Sequence, residues 1–241
     1  MEGLSKADVE ARELASKPLR PRDAASLILI DRRGGEYFVL MGRRHKGHAF
    51  MPDRFVFPGG RTDPTDSRIR VASDLHPKEE EKLMNAGRRV TAARARAIAL
   101  SAIRETYEEA GLLIGREGPF VSPNPHWREF ETRQIQPSLE KLRYFARAIT
   151  PPGRVRRFDT RFLAAWRDDV AVELADGGPT DELQEIAWLP LEEAMEADVP
   201  RITRTILGEL KERLAVDPQL EPGGPVPFYF MRGKRFRREV L

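Results

Sequence analysis

Cysteine is absent from the 241 residues, which excludes disulfides, thiolate nucleophiles and cysteine-ligated metal centres. Long apolar runs are missing too. None approaches the ~18 residues of a membrane-crossing helix, and the N-terminus lacks the apolar core of a secretory signal, so no membrane partner is expected. The C-terminal Arg-Glu-Val-Leu is no recognised sorting address, and the cytoplasm is the default location. Histidine is scarce, with four in the chain, and His45 and His48 have no further ligand at metal-site spacing. Charge of one sign hardly accumulates: 41 basic residues face 38 acidic ones, leaving +3. The balance disfavours nucleic acid as the main partner, although the segment Arg232-Gly233-Lys234-Arg235-Phe236-Arg237-Arg238 is basic and carries an aromatic. What remains is an ordinary apolar content of 40%, enough for one sizeable core with elaborations.

One stretch organises the rest, Arg104-Glu105-Thr106-Tyr107-Glu108-Glu109-Ala110-Gly111-Leu112. On a helix, Glu105, Glu108 and Glu109 share one narrow face, spread over about 100°. Ala99, Ala102, Ile103, Thr106 and Ala110 form the opposite stripe, small enough to pack closely on a sheet. Each like-charged contact at this spacing costs roughly 0.2–0.5 kcal/mol, and the C-terminal end of a helix already disfavours negative charge. A hard divalent cation such as Mg2+ would offset both terms, since it prefers carboxylate oxygens. The plainer alternative is a solvated, salt-bridged face in which Arg104 pairs with Glu108 and Gly111 caps the helix.

Upstream stands a strand-ending turn, Phe57-Pro58-Gly59-Gly60. Together the two segments resemble the Nudix box, G-x5-E-x7-R-E-U-x-E-E-x-G-U, with Gly60 as its glycine and Arg104 to Leu112 as its second half. The resemblance implies an α/β fold in which a mixed β-sheet is sandwiched between helices, and a loop–helix–loop that holds Mg2+ or Mn2+ against a diphosphate. By the same resemblance Gly60, Glu105, Glu108 and Glu109 are the expected metal ligands. Arg104 and Glu105 are the expected catalytic residues, Glu105 as a further ligand or as general base. Two departures stand out. Gly60 and Arg104 are separated by 43 residues, which implies an insertion of roughly 30, placed at 61–90. Eight residues before Arg104, where the pattern has its first glutamate, stands Arg96, which cannot ligate a metal.

Along the chain, residues 1–20 read as an appendage, with Ser5 capping a short helix over 7–14 before Pro18 and Pro21 break it. The main domain is expected over 21–215, followed by a basic tail over 216–241. Residues 24–30 form a nearly continuous apolar run, the mark of a strand covered on both faces. A turn at Arg32-Arg33-Gly34-Gly35 leads to a second strand over 37–41, and Phe55-Val56-Phe57 supplies a third. The insertion reads as a surface loop with one short helix near 79–84, either a specificity lid or a tolerated addition. A long helix over 91–110, irregular chain over 115–125 and a helix over 126–134, continuing through 137–142, come next. Strands over 144–149, 158–166 and 184–189 follow, with Asp159 and Arg161 on one face of the second. Helices from Pro190 to 197 and over 202–214 end the domain.

Arg43-Arg44-His45-Lys46-Gly47-His48 offers a grip for phosphate oxygens, or else a solvated hairpin loop. The divided box, Ala148-Ile149-Thr150-Pro151-Pro152 and Arg157-Phe158-Asp159-Thr160-Arg161-Phe162 resemble the branch that includes peroxisomal coenzyme A diphosphatases. That likeness implies hydrolysis of the diphosphate in a small nucleoside diphosphate derivative, coenzyme A or its thioesters first. Arg43, Arg44 and Arg161 are the expected substrate contacts. Cleavage of capped RNA, of NADH or of ADP-ribose, or binding by a sensor that does not cleave, remain the alternatives. The general base lies in the box or in a later loop, where Glu182 and Glu185 are candidates. A homodimer is compatible with all of these readings.

Overall fold

The computed structural model describes residues 19–45, 53–85 and 90–241. The expected helix over 7–14 with its Ser5 cap, and Lys46, Gly47 and His48 of the basic segment, lie outside the described residues. The fold grows from β1 (Arg22–Arg33), whose apolar run points both ways. Ala25, Leu27 and Leu29 join one core, while Ile28 and Ile30 join a second on the other face. Period-two alternation within an all-apolar strand produces this double burial. Gly34 and Gly35, both with positive φ, turn the chain into β2 (Glu36–Arg44), as a tight hairpin requires.

β1 sits at the centre of a mixed sheet that has nine strands among the described residues. β2 and then β10 (Leu183–Pro190) lie antiparallel on one side. On the other side β8 (Phe158–Trp166) runs parallel to β1, with Ala24 beside Thr160 and Ile28 beside Ala164. β7 (Arg143–Ile149) follows, then β11 (Pro227–Arg232) and β12 (Arg235–Val240). Two short strands, β3 (Phe55–Val56) and β4 (Gly59–Arg61), pair with β2 and β1. A separate sheet joins β5 (Leu112–Glu117), β6 (Ile135–Pro137) and β9 (Val170–Glu173).

Helices cover both faces of the main sheet. α2 (Ala92–Ala110) lays its alanine stripe on the face of Ala25, Leu27 and Leu29, and its Ala95, Ala99 and Ala102 are fully buried. Thr91 caps its start by accepting the Arg94 N–H, a contact worth ~1 kcal/mol, and Gly111 ends it in the left-handed conformation. α4 (Leu191–Glu196) and α5 (Arg201–Val216) cover the opposite face, burying Leu191, Ile206, Leu207 and Leu210 against Ile28, Ile30 and Met41. This is the expected α/β sandwich.

Several local expectations are corrected. Of the stretch expected to be irregular, residues 115–117 instead end β5, where pairing with β6 satisfies their backbone, while residues 118–124 carry no helix or strand, as expected. Past the short helix α3 (Arg128–Thr132) the chain enters β6 rather than continuing helical, since Pro137 lacks the N–H a helix would use. Residues 216–241 are not all tail, because β11 pairs with β7 through Phe228 and Tyr229 and so widens the main sheet. The insertion is not a surface loop either. Ile69, Leu75, Leu83 and Val90 enter the core beneath α2, Leu83 from α1 (Pro77–Asn85). Buried Glu79 accepts the Tyr144 and Gly223 N–H groups, tying the insertion to β7 and to the approach to β11.

Candidate active site

The C-terminal half of α2 carries the carboxylates, and β4 brings the glycine turn against them. Gly60 pairs with Ala25 on β1, and a Cβ there would overlap the Glu105 carboxyl group and displace it. At Gly59 a Cβ would stand 2.5 Å from the Ala25 carbonyl oxygen. The Gly59 N–H donates to Glu109 Oε2 at 2.7 Å. Ser26 holds the turn by donating its hydroxyl to the Pro58 carbonyl at 3.0 Å. Glycine and glutamates are thus joined in space across the 43 residues that separate Gly60 from Arg104.

Arg104 is the hub. Its buried guanidinium donates to Glu105 Oε1 at 2.8 Å and to Glu108 Oε2 at 2.7 Å. It also reaches Asp66 Oδ2 and the Arg61 carbonyl, each at 3.1 Å. Asp66 and Arg61 belong to the insertion, so the insertion packs directly on the box. The remaining Glu108 oxygen lies 2.5 Å from Nδ1 of His126, an exposed residue beside buried Trp127. Trp127 Nε1–H completes the circuit by donating to Asp66 Oδ1 at 3.3 Å.

Burial governs the electrostatics. It pushes Glu109 up to about 8, against the pull of the Gly59 N–H and of Arg44. It pushes Glu105 up to about 7, against the pull of Arg104. Glu182, at the entry to β10, raises both further through its charge. It is delivered by a close approach of the preceding loop to the end of α2. The Thr180 N–H and hydroxyl both donate to the Glu108 carbonyl, at 3.1 and 2.8 Å, and a Cβ at Gly178 would overlap that carbonyl. The same contacts satisfy a helix-end carbonyl that would otherwise be unpaired.

The donors suit a hard cation. Glu109 Oε1 is buried without a hydrogen-bond partner, and a carboxylate left in that state is costly. Glu105 and Glu182 add oxygens beside it, and oxygen donors are what Mg2+ or Mn2+ prefer. Among the described residues no three acidic or imidazole side chains yet stand at metal-site spacing. Arg104 and His126 hold both Glu108 oxygens, and Arg104 also holds Glu105.

Not every expected residue is gathered here. Arg44 lies near enough to Glu109 to favour its ionised form. Arg43, on the same strand, is held by Glu185 at 2.8 Å and lies over the Phe55 ring at 4.5 Å. Arg161 is corrected as a substrate contact: it is 1% exposed and spent on Asp23 at 2.7 Å and Asp159 Oδ2 at 3.3 Å. Parallel pairing of β8 with β1 sets Arg161 beside Ala25, two residue pairs from Asp23, which sequence alternation alone does not reveal. Arg96, at the position of the pattern's first glutamate, donates to the Ser67 and Ile69 carbonyls and ion-pairs with Asp74. It fastens the insertion. Asp66, His126 and Trp127 were missed altogether, since each reaches the site through long-range packing with no local motif.

No family model matches the chain. It is 28% identical to nudix hydrolase 7 of Caenorhabditis elegans over 188 residues, 73% of this chain and 53% of that protein. It is also 28% identical to the acyl-coenzyme A diphosphatase NUDT19 of Xenopus laevis over 177 residues, 53% of this chain and 47% of that protein. The chain therefore spans about half the length of the curated relatives it matches. The crystal structure of a Nudix hydrolase from Alicyclobacillus acidocaldarius superposes with a TM-score of 0.61 at 26% identity, covering 78% of this chain and 90% of that one. The chain has the Nudix hydrolase fold, with the box helix of that family rejoined to its glycine turn across an insertion.

Proposed function

We propose that the chain is a metal-dependent hydrolase of a diphosphate linkage in a nucleoside diphosphate derivative, with coenzyme A or an acyl-coenzyme A as the preferred substrate. The observation that carries the reading is Glu109, a buried carboxylate whose Oε1 lacks a partner beside a glycine turn that only glycine can form. A solvated helix face would have no reason to bury that group. Glu105, Glu108 and Glu109 would hold Mg2+ or Mn2+, with the Gly60 carbonyl as a further oxygen. The bound cation would neutralise phosphate oxygens and lower the pKa of a water that attacks phosphorus.

The chain's own residues set up that chemistry. Arg104 divides its donors between Glu105 and Glu108, which fixes both carboxylates relative to the helix. Glu105, pushed up to about 7 by burial, is the candidate base within the box if it is not a ligand, and Glu182 or Glu185 the candidate from the later loop. Arg44, whose charge acts on Glu109, is assigned to meet a phosphate on that side. The coenzyme A preference rests on the likeness to the Xenopus diphosphatase and on the divided box. The test is a hydrolysis panel with Mg2+ and Mn2+ over coenzyme A, acyl-coenzyme A, dephospho-coenzyme A, NADH, ADP-ribose and capped RNA. Preferred release of 3′,5′-ADP from coenzyme A species is the expected result. Faster hydrolysis of ADP-ribose, NADH or capped RNA would assign the site to another substrate, and no hydrolysis of any would leave a nucleotide sensor.

A further inference from the structure

We infer that Asp66, supplied by the insertion, is the positioning residue that sets Arg104 and, through it, the metal-binding glutamates. The inference rests on the metal-dependent reading of the site. Arg104 has donors for more than two carboxylates and must be held from behind if it is not to clamp Glu105 and Glu108 against each other. Asp66 does this from a completely buried position, accepting from Arg104 Nε at 3.1 Å. Its other oxygen is fixed by Trp127 Nε1–H at 3.3 Å, and the Arg61 carbonyl receives Arg104 Nη2 at 3.1 Å. A buried ion pair of this kind is retained at a desolvation cost, and geometry is the return. The position that would hold the first box glutamate is filled by Arg96, whose guanidinium grips the Ser67 and Ile69 carbonyls at the C-terminal end of the turn that carries Asp66. The acid absent from the helix is therefore replaced by one from the insertion, and Arg96 holds that replacement in place. Trp127 extends the chain of contacts to the segment bearing His126, which faces the outer oxygen of Glu108.

The experiment compares Asp66→Asn, Asp66→Glu and Trp127→Phe with the wild type, by calorimetric titration with Mn2+ and by steady-state hydrolysis. Asp66→Asn keeps the shape and removes the charge. Its expected effect is an Mn2+ affinity about 10- to 100-fold weaker, with kcat lowered and KM unchanged at saturating cation. Partial recovery in Asp66→Glu is expected. Trp127→Phe keeps an aromatic ring in the site while losing the N–H and part of the buried ring volume, so a smaller loss of Mn2+ affinity is expected, with the carboxylate of Asp66 retained. Mn2+ affinity and kcat equal to wild type in folded Asp66→Asn would overturn the inference, as would unaltered Mn2+ affinity in Trp127→Phe. A wild type that binds no Mn2+ would instead overturn the metal-dependent reading itself.

Discussion

Glu109→Gln gives the sharpest test of the electrostatics. In the cation-free protein the buried carboxyl is pushed from 4.5 to about 8. The folded state then holds a proton that the unfolded chain releases between those values, so stability is full below about pH 4.5 and is lost as pH rises towards 8. Each pH unit across the window is worth about 1.4 kcal/mol, which sets a ceiling of about 4–5 kcal/mol. Relaxation around the charge reduces this to about 2–3 kcal/mol. For a chain of this length that corresponds to a fall in Tm of about 5–10 °C between pH 5 and 8.5. Calorimetric unfolding in EDTA would measure it. Glu109→Gln cannot ionise and should lose its own share of the slope, keeping only the share that Glu105, raised to about 7, contributes below that pH. It should stand above the wild type at pH 8.5, while saturating Mg2+ should restore the wild type and do less for the variant. A variant with the wild-type slope, or a wild type whose Tm climbs across the window, would refute the reasoning.

Gly60→Ala should fold yet lose about a hundredfold in kcat, because its Cβ needs the space of the Glu105 carboxyl group; unaltered turnover would contradict that packing. Leu83→Ala, in the insertion, should cost about 2–5 kcal/mol by denaturant unfolding, since Leu83 is completely buried. Excising 61–90 should abolish folding, as losing several such side chains exceeds a typical stability of about 5–15 kcal/mol, and a soluble, cooperative excision variant would show the insertion to be separable. Arg161→Met should lower Tm and leave KM for substrate unchanged, whereas a raised KM with an unchanged Tm would return Arg161 to substrate binding.

The box helix was legible because its information is local: 3.6-residue spacing places Glu105, Glu108 and Glu109 together, and Gly111 marks its end. β1 was legible for the same reason, its unbroken apolar run being explicable only by burial on both faces. Gly60 was recoverable from the Pro-Gly-Gly turn, although its meeting with Glu105 depends on β4 pairing with β1. The short helix of the insertion was legible but its burial was not, because Ile69, Leu75 and Leu83 reach the core from irregular chain or a short helix and show no period. Asp66 looks like an ordinary turn residue in Asp-Pro-Thr-Asp, and only tertiary packing closes it over Arg104. The basic end misled for a related reason: the arginines of β12 are exposed, while the pairing that makes β11 a strand lies on β7, some 80 residues upstream.

The central claim, cation-dependent attack of water on a diphosphate, is tested most directly by single-turnover hydrolysis of coenzyme A in 18O-labelled water, with Mn2+ and with EDTA. The account predicts cleavage with Mn2+ alone, one labelled oxygen on a phosphate of the products, and its loss in Glu108→Gln. Cleavage undiminished by EDTA, or wild-type activity in Glu108→Gln, would contradict it.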